Sequence, residues 1–239
     1  MENIRHEQIL KILEKRGNAT VKQLSDELFV CEMTVRRDLE ELDKCGLITR
    51  YRGGAASKLK DGYPIKIRYQ FRETEKKELA ADAAKYINDN ICIFLDSSSV
   101  CMYIVPHISK KKNVSIVTNS VQTTLLSAKL HIPCELVGGS YYEKDMCLVG
   151  YSTIRRLSEI NPDIAFISSA ALSSNGTVSD NDEAQTEVRR AAIKNARKTV
   201  FIFDSTKLNK TESINLCTLS ASDTTITPRG NCFSVNTEN

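Results

Sequence analysis

Apolar positions recur at helical spacing through the first 45 residues and fall into three segments. Ile9, Leu10 and Leu13 form a stripe between Ile4 and Arg16, closed by Gly17, a residue suited to a helix C-cap. Val21, Leu24 and Leu28 predict a second, short helix with Thr20 as its N-cap. Met33, Val35, Leu39 and Leu42 predict a third that closes near Cys45-Gly46. The period then changes. Leu47 to Arg52 alternates like a strand, Gly53-Gly54 reads as a tight turn, and Ala55-Ala56-Ser57 starts a returning strand. Three helices and a hairpin, in that order, predict a winged helix-turn-helix over residues 1–57.

Residues 58–74 are polar, contain Pro64 and lack sustained periodicity, so they read as a linker. From Glu75 onward apolar runs alternate with helical segments. Strands are predicted at ICIFL, VSIVT, CELVG, DIAFIS and TVFIF. Helices are predicted over TEKKELAADAAKYI, after Ser99, over SVQTTLLSA, near Tyr151 to Ile160, and from Glu183 to Ala196. Strands separated by helices imply an α/β domain with a mostly parallel sheet over residues 75–239.

The first domain carries a candidate DNA-reading element. The turn Phe29-Val30-Cys31 between the second and third helices is short enough for one helix to hold the other across a major groove. Cys31, Glu32, Met33 and Thr34 then stand at the start of the reading helix, with Arg36 and Arg37 one turn on. Arginine can bond guanine in a paired fashion or grip phosphate, so Thr34, Arg36 and Arg37 are the leading contacts. The competing reading makes Arg36-Arg37 a solvated face balanced by Asp38, Glu40 and Glu41. The hairpin favours the first reading, because Arg50, Tyr51 and Arg52 before Gly53 give a wing the cations that adjacent phosphates require. Thr20, at the start of the supporting helix, completes the candidate set.

Charge adds a constraint. The net charge is +3, and residues 1–58 hold 11 Lys+Arg against 10 Asp+Glu. One near-neutral winged helix offers too little contact for genomic specificity, so a homo-oligomer reading repeated half-sites is expected. The composition, 41% hydrophobic and 26% charged, is that of an ordinary globular protein. No apolar run approaches the ~20 residues that span a bilayer, and MENIRHEQIL lacks a signal peptide's apolar region, so the expected compartment is the cytoplasm without a membrane partner. The eight cysteines (Cys31, Cys45, Cys92, Cys101, Cys134, Cys147, Cys217 and Cys232) form no CxxC pair and read as free thiols, with neither metal nor cofactor expected.

In the second domain polar clusters follow the predicted strands, the end at which open α/β sheets bind ligands. Asp96-Ser97-Ser98-Ser99 precedes a helix, where amides and hydroxyls suit a phosphate. Thr118-Asn119-Ser120 repeats the arrangement, Gly138-Gly139 follows CELV, and Asp204-Ser205-Thr206-Lys207 follows TVFIF. Each cluster alone is explained by helix capping, turns or a local ion pair. Four of them at strand ends favour a binding site, although neither a GxxxxGK[ST] nor a GxGxxG motif marks a nucleotide.

These residues also resemble a known family. R-x-x-x-I-L-x-x-L at Arg5 to Leu13, V-x-x-L-S-x-x-L at Val21 to Leu28, T-V-R-R-D-L-x-x-L at Thr34 to Leu42 and G-L-I-x-R-x-x-G-G-A at Gly46 to Ala55 resemble the DeoR family of bacterial regulators. The later clusters resemble that family's D-S-x-[ST], V-T-N-S, G-G and D-x-S-K segments. Cys31 departs from the Ser that usually opens the reading helix. The glycines usual around Ser168 to Asp180 are partly replaced, and the chain beyond Asp223 departs from the family's strand and acidic turn. The resemblance implies a second domain similar to ribose-5-phosphate isomerase and a small phosphorylated sugar as effector. It also implies a repressor of a carbohydrate-use operon acting on a double-stranded DNA operator.

Two rival readings remain at this stage. A sugar-phosphate isomerase would need a carboxylate base, for which Glu183 is the candidate, yet an acidic residue opening a helix is favoured in any protein. An oligomerisation domain would explain the sheet but not the polar strand ends.

Overall fold

The computed structural model describes residues 2–45, 47–57, 65–220 and 223–228. The chain divides into two compact units, Met1–Arg72 and Glu73–Asn239.

The first unit runs α1 (Glu2–Arg16), β1 (Asn18–Thr20), α2 (Val21–Leu28), α3 (Glu32–Lys44), β2 (Ile48–Tyr51), β3 (Gly54–Ser57) and α4 (Ile65–Gln70). The helical stripes meet in one core of Ile9, Leu13, Leu24, Val35, Leu39 and Ile48, with Ala19 and Ala55 filling the narrow space beside the sheet. The wing has three strands, in order β1-β3-β2. The short strand β1 was not legible in the periodicity, because Asn18-Ala19-Thr20 is too brief to alternate. The described part of the predicted linker, residues 65–74, is also more structured than expected. It carries α4, buries Ile65 and packs Phe71 against the winged-helix core. The amide of Arg72 donates to Glu7 Oε1 at 2.7 Å. Two apolar anchors in a polar stretch were enough to order a segment too short to show a period.

The second unit runs α5 (Glu73–Ala84), β4 (Cys92–Leu95), α6 (Ser99–Met102), α7 (Val105–Ile108), β5 (Ser115–Thr118), α8 (Val121–Lys129), β6 (Cys134–Leu136), β7 (Ser140–Tyr142), β8 (Cys147–Val149) and α9 (Tyr151–Ser158). It continues with β9 (Ile164–Ile167), β10 (Ala171–Leu172), β11 (Thr177–Asp180), α10 (Glu183–Asn195), β12 (Thr199–Ile202), β13 (Ile214–Thr218) and β14 (Thr224–Ile226). Among the described residues six strands form one sheet, in order β14-β12-β9-β4-β5-β6, and every pairing in it is parallel. Both faces are buried, so the strands read as continuous apolar runs. Ile93, Leu95, Phe166 and Ile202 face a core shared with α5 to α8, while Phe94, Ala165, Ile167 and Phe201 face one shared with α9 and α10. The hairpin β7-β8 and the antiparallel sheet β10-β11-β13 escaped the sequence reading, since their strands are short and interrupted by polar residues. Beyond Asp223, Thr224–Ile226 continues the sheet as an edge strand beside β12.

The strand order positions the second candidate site. From β4 the chain builds outward through β5 and β6, then crosses back to build through β9, β12 and β14 on the other side. The reversal lies between β4 and β9, where connections leave in opposite directions and open a crevice at the carboxyl ends.

Candidate functional site

On the winged helix, α2 is fixed by a complete capping box. The Thr20 hydroxyl accepts from the Gln23 amide at 3.2 Å, and Gln23 Oε1 accepts from the Thr20 amide at 2.8 Å. Thr20 therefore spends its hydroxyl on the cap. Cys31 holds the corresponding place before α3 but makes no side-chain cap. Its thiol instead lies 3.1 Å from the Thr34 hydroxyl, and that hydrogen bond lowers the pKa of the exposed thiol. Glu32, Met33, Arg36 and Arg37 are exposed along α3, Thr34 is half-buried, and Val35, Leu39 and Leu42 face the core. Arg36 pairs with Glu32 at 3.0 Å across one helical turn.

Asp38 departs from the solvated-face reading. It is buried and accepts from Arg5 of α1 through both oxygens, Nε to Oδ2 and Nη2 to Oδ1, the latter at 2.7 Å. It therefore ties α1 to the reading helix α3 rather than balancing Arg36 and Arg37. Arg50, Tyr51, Arg52 and Gly53 are all exposed on the wing. Gly53 sits at φ +91, which the tight turn requires and a side chain resists, and its carbonyl accepts from the Val21 amide at 2.8 Å. The Tyr51 hydroxyl donates to the Ala19 carbonyl at 3.3 Å, which joins the wing to β1.

In the second unit the predicted clusters converge on the carboxyl edge of the sheet. Register places Leu95 opposite both Thr118 and Phe166, so Asp96, Asn119 and the residues after Ile167 leave the sheet at one level. Asp96, Ser97, Ser98, Ser99, Thr118, Asn119 and Ser120 are all buried. Asp96 Oδ1 accepts from the Ser98 amide, and its Oδ2 accepts from the Ser168 amide, each at 2.9 Å. The latter bond spans the crevice between β4 and β9. Lys207 arrives from the loop after β12 and donates Nζ to Ser168 Oγ at 2.7 Å. Asp96, Ser168 and Lys207 are thus linked at the point where the strand order reverses.

The remaining predicted residues shape the flank. Thr118 Oγ1 donates to the Leu95 carbonyl at 2.7 Å, Ser120 caps α8 through the Thr123 amide, and Asn119 Nδ2 donates to the Leu148 carbonyl at 3.1 Å. Asn119 Oδ1 is buried with no hydrogen-bond partner, an acceptor open to a donor group. The Gly138 carbonyl accepts from Thr153 Oγ1 at 2.6 Å. Gly139 at φ +150 leaves no room for a Cβ, which would lie 2.1 Å from Thr153 Oγ1 and 2.7 Å from the Val149 carbonyl.

Several residues of this network were missed from sequence. Arg189 is buried on α10 and donates Nε to Asp96 at 3.1 Å and Nη1 to Asp180 at 2.7 Å. Burial opposes its charge, but Asp180 and Asp96 outweigh burial and raise its pKa further. Burial likewise pushes the Asp180 carboxyl up, yet Arg189, the Ser169 hydroxyl and the amides of Asn181 and Asp182 hold it below the usual carboxylate range. For Asp204, burial is outweighed by Lys207, Thr206 and Lys76, so its carboxyl is also lowered. Gln185 accepts from Ser97 Oγ at 3.1 Å and donates to Asp145 Oδ2 at 2.9 Å. Glu75 on α5 accepts from the Ser205 amide at 2.6 Å and from its hydroxyl at 3.1 Å, fastening the Lys207 loop to the unit's first helix. A signal for α10 was present. Gln185, Val188, Arg189 and Ala192 form its buried stripe at helical spacing, and a Gln and an Arg within such a stripe mark a satisfied polar network.

Comparison with known proteins follows the same division. A family model of the DeoR-like helix-turn-helix domain matches residues 5–60, and one of the DeoR C terminal sensor domain matches residues 72–229. The glycerol-3-phosphate regulon repressor of Haemophilus influenzae is 28% identical over 221 residues, covering 92% of this chain and 86% of that protein. The uncharacterized HTH-type transcriptional regulator YulB of Bacillus subtilis is 31% identical over 235 residues, covering 95% and 88%. Among solved structures, a D-ribose-5-phosphate isomerase in complex with phospho-erythronic acid is similar over 57% of this chain and 54% of its own. Its TM-score is 0.44 at 20% identity, too loose a likeness to bear on the site.

Proposed function

We propose, on the premise that the chain belongs to the DeoR family of transcriptional regulators, that it represses a carbohydrate-use operon and that a phosphorylated sugar sets its grip on the operator. The observation that carries this reading is the linked trio Asp96, Ser168 and Lys207 at the strand-order reversal. A carboxylate and a run of hydroxyls suit a polyol, and an ammonium beside them suits a phosphate. Glycerol-3-phosphate, which gives one relative its name, is likewise a phosphorylated polyol. Thr34, Arg36 and Arg37 read the operator, Arg50 and Arg52 hold its phosphates, and the protein acts as a homo-oligomer on repeated half-sites.

The site binds without turnover. Asp180 and Asp204 are lowered carboxylates held by Arg189 and Lys207, which makes them poor proton acceptors, and Glu183 is exposed at the start of α10. These features favour a binding site over an isomerase.

The test is a thermal-shift screen of phosphorylated sugars on the full chain, followed by operator binding with the ligand found. Wild type should be stabilised and should release DNA, with a coupling of about 1–3 kcal/mol. Lys207→Ala should lose the response while keeping effector-free DNA binding. Arg36→Ala with Arg37→Ala should cost about 1–3 kcal/mol per base-reading arginine, whereas Arg50→Ala should weaken all sequences alike. Steady conversion of a sugar phosphate by purified protein, or a strictly monomeric mass on and off DNA, would count against the reading.

A further inference from the structure

Two side chains at the leading end of α3 are unexplained by folding. Phe29 caps the C-terminus of α2 in the left-handed region, at φ 54 and ψ 42, and is 93% exposed. A bulky residue is an outlier there, and Gly or Asn would adopt the same backbone at lower cost. Met33, in the first turn of α3, is 80% exposed. Scattered exposed apolar residues are common, but these two flank Cys31, the N-cap of the helix that a helix-turn-helix presents to a major groove. The polar groups around them are engaged with one another: Arg36 with Glu32 at 3.0 Å and Cys31 with Thr34 at 3.1 Å. Beside these polar groups, Phe29 and Met33 give this end of the helix apolar surface to offer to a groove.

We propose that Phe29 and Met33 form an apolar reading head that takes the 5-methyl groups of thymines in the operator's major groove. Among the bases only thymine places a methyl group there, and apolar side chains recognise it by contact. The proposal rests on the DNA-binding reading above and adds to it the base that the apolar tip selects. Arg36 and Arg37 then supply hydrogen bonds and charge from one turn further along α3. Phe29 supplies area that the folded protein alone leaves in water.

The test uses the full chain. A preferred site is selected from random duplex DNA, and its affinity is remeasured with each thymine in turn replaced by deoxyuridine, which removes only the methyl. Wild type should lose about fourfold in affinity at one or two thymines per half-site, the equivalent of ~0.8 kcal/mol for a buried methyl. In Phe29→Asn and Met33→Ala that penalty should vanish at the affected positions, with the salt dependence of binding unchanged because phosphate contacts are untouched. Asn tolerates the left-handed backbone and Ala favours the helix, so each variant provides an independent reading. Indifference to deoxyuridine at every thymine, or a penalty that persists in both variants, would overturn the proposal. Enrichment of no DNA sequence at all would overturn the DNA-binding reading itself, and this proposal with it.

Discussion

Arg36 on α3 and Arg189 on α10 both face carboxylates, yet they stand in opposite surroundings. Arg36 pairs with Glu32 in water, about half of each side chain exposed, and such a pair contributes ~0.2–1 kcal/mol at most. It can be exchanged for a base or a phosphate at little cost. Arg189 is buried between Asp96 and Asp180, and no solvent replaces either partner if one is lost. The first arginine is free to act as a reader. The second sets the shape and charge of a site in which Ser168 is buried and accepts from Lys207.

Removing Arg189 should break this contrast most severely. Arg189→Ala strands two carboxylates in the interior and should destabilise the second unit by about 3–5 kcal/mol in chemical denaturation. A loss below 1 kcal/mol would place the pair among surface-like bridges. A smaller effect should follow acidification. The carboxyls of Asp180 and Asp204 are held lower in the folded state than in the unfolded chain, so they stabilise the fold above the ordinary carboxylate pKa of about 3.9. That contribution is lost as the pH falls through their lower folded values. Denaturation midpoints followed from pH 5 to 2.5 should drop, and the drop should be shallower in Asp204→Asn; identical profiles would refute the assignment. The mildest change lies on the winged helix. Cys31→Ser should supply the missing cap of α3 and stabilise the first unit by about 0.5–1 kcal/mol. An unchanged melting temperature would show that α3 needs no cap.

The same contrast governs what was legible in the sequence. The winged helix is built from local periodicity, and spacing alone nominated Thr34, Arg36, Arg37, Arg50 and Arg52 as candidates because they sit within one helix and one hairpin. A long-range surprise there is Asp38, which a charge tally assigns to the surface and Arg5 draws into the interior. In the second unit the strand ends were visible because polar clusters interrupt apolar runs. The groups that complete the site come from far along the chain: Asp96 meets Ser168 across 72 positions and Arg189 across 93, and Ser205 meets Glu75 across 130. No short motif encodes such meetings; they depend on the strand order.

That order has a consequence in time as well as in space. β4, which carries Asp96 at its end, is the first strand of its sheet to be synthesised and lies inside the finished sheet between β5 and β9. From Leu95 to Ile164 the chain runs 69 residues. At ~5–20 residues per second a ribosome needs about 3 to 14 s to cover them. Throughout that interval the flank of β4 destined for β9 has no partner in its own chain. A nascent chain in which β4 has already taken strand form would carry an open edge, the form most prone to pair with a neighbour, until β9 is made.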